Sequence, residues 1–137
     1  MKSRSEKLKR LVTVQRHLER MAESELAETA RSRKEVADTM DVVVDAMGSA
    51  SELHRAFSGL YSAKLGRLHQ HDQMLSGMQQ VQEMRVVKER TKADRLEESM
   101  LDARDLEDRQ AADDAIYDVL DQRLASGPPA SGKLEGR

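Results

Sequence analysis

Apolar and polar positions follow one another along this chain with the rhythm of long helices. From about Glu52 to Leu124 there is no proline, and Leu53, Phe57, Leu60, Leu68, Leu75, Met78, Val86, Ala93, Leu96 and Met100 form a seam, with Lys64, His71, Gln82 and Glu89 in the intervening places. At about 100° per residue these lie within roughly 60° of one line on a helix surface, which is a coiled-coil stripe and not a strand pattern. An earlier stretch carries a matching seam of Leu8, Leu11, Gln15, Leu18, Ala22, Leu26, Thr29, Arg33, Val36, Met40, Val43 and Met47. Its spacing alternates three and four except at Leu18, Ala22 and Leu26, where two fours in succession predict a stutter that locally unwinds the supercoil. A helix from 52 to 124 would extend about 110 Å. The expectation is an all-α, elongated antiparallel two-helix coiled-coil hairpin with a longer second helix and a disordered C-terminal tail.

The boundaries come from local stop and start signals. Ser3 and Glu6 have the Ser-x-x-Glu form of a capping box, so helix 1 is predicted over about 4–47. Gly48 follows where a left-handed cap would end that helix, and Ser49 to Glu52 repeats the capping-box pattern, which predicts a turn over 48–51 and helix 2 over about 52–124. One unbroken helix through Gly48 is the competing reading, since an interior glycine costs only about 1 kcal/mol, and Gly59 is a second possible apex. Residues 1–124 are thus read as the hairpin. From 125 to 137 the chain runs through Ser126, Gly127, Pro128 and Pro129, which stop a helix and predict disorder.

A reversal at 48–51 sets residue i opposite a residue near 98 minus i. Helix 1 is then used up by residue 97, yet Met100, Leu101, Ala103, Leu106, Ile116, Tyr117, Val119, Leu120 and Leu124 continue beyond it. Such an overhang asks for an external partner. Gly59, Gly66 and Gly77 return to nearly one angle on the helix; they allow close approach of a partner, bend the rod, or are tolerated on a solvent face.

Composition changes this picture little. Among 137 residues there are only three aromatics (Phe57, Tyr61, Tyr117), no tryptophan and 35% charged residues, which is helical coiled-coil material. Disorder shares that signature, but the sustained period favours helix. Without cysteine there is no disulfide framework or thiolate chemistry, and no apolar run is long enough for a membrane span or signal segment, so a cytoplasmic protein is expected. The net charge of −2 hides an asymmetry. Lys2, Arg4, Lys7, Lys9, Arg10, Arg16 and Arg20 make the start basic, and ten acidic residues from Glu97 to Asp121 face only Arg104 and Arg109. These are either two docking surfaces or two solvated helix faces.

The motifs that touch on chemistry point away from it. Gly127 to Lys133 fits G-x-x-x-x-G-K, but Leu134 stands where Mg²⁺ needs a hydroxyl and no strand precedes it. His69 and His71, two apart, project to nearly opposite sides of a helix and cannot close a metal site. No catalytic, cofactor or metal residue is assigned, and no enzyme is expected. The basic start lacks interleaved aromatics, so no nucleic acid partner is expected. Met40, Met47, Met74, Met78, Met84 and Met100 are seam filler or an adaptable surface.

Three stretches carry a resemblance. The opening Met1 to Gln15, the segment Ser51 to Tyr61 with Leu65 to His71, and Lys88 to Glu97 followed by an acidic helix resemble in layout the flagellar type III export stalk family, FliJ, and its injectisome counterpart YscO. The resemblance implies a non-enzymatic coiled-coil hairpin that docks on a ring-shaped export ATPase and links it to an export-gate membrane protein and to export chaperones. It implies a cytoplasmic location, peripheral at the inner membrane through the export apparatus and without membrane insertion. The acidic run Asp113 to Asp121 and the Gly-Pro-Pro tail depart from the family. The partner-binding residues expected on this reading are Met47, Phe57 and Tyr61 at the turn, and Met100, Leu106, Tyr117 and Leu120 on the overhang. Self-association, and a chaperone or adaptor without an ATPase, are the alternatives.

Overall fold

A computed structural model describes residues 2–127 and holds three helices: α1 (Arg4–Met47), α2 (Glu52–Ala56) and α3 (Ser58–Ser126). The fold is all-α, an antiparallel helical hairpin. The start of α1 is closed as the sequence predicts: Glu6 N donates to Ser3 Oγ and Ser3 N donates to the Glu6 carboxylate, both at 3.3 Å. Two of the donors that a helix start leaves without a partner inside the helix are thereby satisfied.

The reversal differs from expectation in three ways. Gly48 does not take a left-handed conformation; its N–H donates to Val44 O at 3.1 Å, as in a continuing helix, and the last turn tightens at Ser49, whose N–H reaches Ala46 O at 3.2 Å. The second capping box does not form, because Ser51, not Ser49, is the N-cap, and Ser51 N donates to Ser49 Oγ at 3.2 Å. Helix 2 is not continuous from Glu52 either. Phe57, at φ −102 and ψ 10, interrupts it after five residues, where Ser58 and Gly59, poor helix formers, follow. The connection therefore occupies 48–57. At the other end α3 runs two residues past Leu124, and Gly127, at φ 66, closes it with its N–H on Leu124 O at 3.2 Å. The predicted tail beyond Gly127 lies outside the described residues.

The chain divides into two compact units, Thr13–Asp94 and Met1–Val12 with Arg95–Arg137. In the first, Gln15, Glu19, Ala22, Leu26, Thr29, Arg33, Val36, Met40 and Val43 of α1 are buried or half-buried, as are Tyr61, Leu65, Leu68, Asp72, Leu75, Gln79, Gln82, Val86, Glu89 and Ala93 of α3. In the second, the covered positions include Ser5, Leu8 and Val12 of α1 with Leu96, Met100, Ala103 and Glu107 of α3. On each helix these positions alternate three and four without interruption, so the predicted stutter is absent. Leu18 is 38% exposed and Glu19 8%: the unbroken heptad runs through a glutamate and leaves the leucine outside. Leu11, Leu53, Phe57, Leu60 and Met78 likewise lie outside the seam.

The pairing register also shifts. Gln15 meets Glu89, Arg33 meets Asp72 and Ser5 meets Glu107, where a turn at 48–51 would place Glu83, Leu65 and Ala93. The longer connection consumes residues before α3 starts to pair, so each partner lies further along α3.

Candidate docking surfaces

Polar side chains close the seam. Glu19 accepts from Arg16 Nη1 at 2.8 Å and from Arg90 Nε at 3.1 Å, while the other end of Arg90 reaches Glu23 at 3.1 Å. Arg33 joins two turns of α3, donating to Asp72 Oδ1 and to Gln79 Oε1, each at 3.0 Å. Gln15 Nε2 donates to the backbone carbonyl of Glu89 at 3.2 Å and to its carboxylate. In the other unit Glu107 accepts from Ser5 N at 3.0 Å and from Ser5 Oγ at 2.5 Å, a carboxylate capping the positive end of α1 from outside. These contacts hold three carboxyls below the usual range: Glu19 through hydrogen bonds from Arg16 and Arg90, Asp72 through Arg33, and Glu107 through the Ser5 hydroxyl and backbone N–H.

After Glu107 every residue of α3 to Ser126 is exposed. The overhang is therefore real but begins near residue 108, not 97. Leu106 (62% exposed), Tyr117 (65%) and Leu120 (49%) are open to solvent as expected, and Ile116, Val119 and Leu124 join them. Met100 and Ala103 are corrections, Ala103 being 6% exposed in the same seam. Met100 is 9% exposed, part of the intramolecular seam, and the shifted register is what covers both.

Around the overhang, Tyr117, Leu120 and Leu124 recur at three and four residues, the anchor spacing of a helix that lies in a groove. Asp113 falls in the same line, and Asp114 and Asp121 border it, all within about 120° by the helical period. Ala115, Ile116, Val119 and Leu120 line a shallow apolar groove. Gln110 Nε2 donates to Asp114 at 3.2 Å, a local contact that leaves the apolar line open.

At the turn, Met47 and Phe57 are exposed, and Tyr61 is half-buried as the first member of the α3 seam. Its hydroxyl lies 2.8 Å from His54 Nδ1, which ties α2 to α3 across the break. Tyr61 is thus a structural bridge as well as a turn residue.

The polar seam positions missed from sequence are Ser5, Glu19, Asp72 and Glu107. The signal was present: extending the three-and-four spacing of Ala22 to Val43 backwards without a stutter lands on Glu19, Gln15, Val12, Leu8 and Ser5. Among the described residues no group of three His, Cys, Asp or Glu side chains is arranged to hold a metal ion, and no helix is long and apolar enough to cross a membrane. No protein-family model, curated protein or solved structure matches the chain.

Proposed function

We propose that this chain is a non-enzymatic coiled-coil adaptor whose docking element is the overhang of α3. The observation that carries the reading is the exposed helix from 108 to 126, with Tyr117, Leu120 and Leu124 on one line and no cover among the described residues. A solvated apolar line of this kind is a recognition surface for a second helix or a groove. The partner implied by the family resemblance is a ring-shaped export ATPase, with the turn at Met47, Phe57 and Tyr61 toward an export-gate protein and with export chaperones as further partners. In this role the chain contributes rigidity and spacing, while chemistry belongs to the ATPase.

Removing residues 108–137 tests the reading. The cut spares Met100, Ala103 and Glu107, which belong to the paired seam. Circular dichroism should report the helicity of the remaining hairpin, and stimulation of ATP turnover by a purified ring export ATPase should be lost. Stimulation equal to that of the full chain would place the contact elsewhere.

A further inference from the structure

A second exposed stripe lies on the hairpin itself. Val14, Leu18 and Met21 of α1 are exposed and spaced four and three apart, so they share a face. Their neighbours on α3 follow from the ion pairs. Arg90 with Glu19 and Glu23 marks one flank of the seam, and Arg85 Nη1 with Glu25 Oε2, at 3.1 Å, marks the opposite one. One heptad from that second pair, Leu18 takes the place of Glu25 and Lys92 the place of Arg85; Lys88 adjoins on the outer side. Lys92 Nζ is 3.7 Å from Glu89, a loose contact. The flank is thus an apolar strip bordered by two lysines.

The overhang has the complementary pattern, an apolar line of Tyr117, Leu120 and Leu124 bordered by Asp114 and Asp121. Both belong to one chain, and their charges are opposite in sign, Asp114 and Asp121 on the overhang against Lys88 and Lys92 on the flank. We infer that the occupant of the flank is a second copy of this chain: the α3 overhang of each copy lies on the Val14, Leu18 and Met21 strip of the other, with Asp114 and Asp121 toward Lys88 and Lys92. Made twice about a twofold axis, the contact closes as a dimer. It covers the apolar line in the absence of any other partner, and any other protein that takes the overhang has to displace it. The inference stands independently of the stalk reading, because it concerns the chain alone.

Charge exchange in the full-length chain, followed by sedimentation equilibrium, tests it. The unaltered chain should reach twice its 15.5 kDa mass, with a dissociation constant that rises at least about tenfold between low and high salt. Lys88→Glu with Lys92→Glu sets acid against acid, and Asp114→Lys with Asp121→Lys sets base against base, so each variant alone should be monomeric. Mixed, they restore both contacts and should form a dimer. All four positions are exposed, so circular dichroism should show unchanged helicity. A monomeric unaltered chain, or a mixture that stays monomeric while the unaltered chain dimerises, would overturn the proposal.

Discussion

Residues 61–107 and residues 108–126 lie on one helix, both rich in charge, yet their side chains live differently. In the paired stretch Asp72, Glu89 and Glu107 sit in the seam and each accepts hydrogen bonds from α1. In the overhang the same heptad line continues through Asp114 and Asp121 with no described residue across it. The difference teaches that polar seam positions in this chain act as addresses. A seam of leucines alone pairs in several registers, whereas Arg33 against Asp72 and Ser5 against Glu107 accept one. The overhang carries the same kind of address with its complement missing.

The sharpest break in the comparison should appear in amide hydrogen exchange. Backbone amides of 61–107 are held by a packed seam, and those of 108–126 open by local fraying, so in dilute solution the second group should exchange about a hundredfold faster or more. Equal protection would mean that the overhang is covered. Protection that rises with concentration would support cover by a second copy.

Next in size are charges driven into the seam. Leu75 is 7% exposed, and Leu75→Asp should cost about 3 kcal/mol or more in urea unfolding, because the carboxylate finds no partner there. At concentrations dilute enough for the chain to be monomeric, Leu18→Asp and Ile116→Asp, both at exposed positions, should each cost less than about 1 kcal/mol. A large loss from Leu18→Asp would return the seam to the reading through Leu18 and remove the unbroken heptad.

That contrast shows what was legible in the sequence. The limits of α1, the place of the reversal, and the α3 seam through Leu75, Val86, Ala93 and Leu96 follow from capping chemistry and apolar spacing. The register does not, because hydrophobicity prefers Leu11 and Leu18 to Val12 and Glu19, and a glutamate held by two arginines looks like a solvent residue until both arginines are placed. The break at Phe57 was also hidden, since a large apolar residue at helical spacing reads as seam. Of the expected docking residues, Leu106, Tyr117 and Leu120 needed only the helical period to be seen as exposed. Met100 depended on the register and was misplaced with it.

Acid should weaken the hairpin more gently. Glu19, Asp72 and Glu107 each have a folded pKa below the unfolded value. Their contribution is fully present above the unfolded carboxylate range, about 4, and is lost as pH falls through that range toward the lower folded values. Thermal melts should be flat near neutrality and fall by several degrees below about pH 4.5. Glu19→Gln should make that fall shallower, because one of the three protons then has no site to bind. An unchanged acid slope would mean that the arginines around Glu19 do not stabilise its charge.

The smallest effect addresses the register directly. Arg85 and Glu25 are 3.1 Å apart with side chains 51% and 45% exposed, so the pair is worth about 0.2–1 kcal/mol, and less at high salt. A reversal at 48–51 would set Gln73 opposite Glu25 instead. Glu25→Arg should therefore destabilise slightly, by placing two guanidinium groups together, and adding Arg85→Glu should restore most of the loss. A double-mutant cycle isolates this coupling from whatever each substitution does alone. Coupling of Glu25 to position 85 and not to 73, vanishing in high salt, would fix the two helices in the longer-connection register. Coupling to 73 would move Ser5 away from Glu107, shorten the paired part of α3, and lengthen the helix that has to find its cover in another molecule.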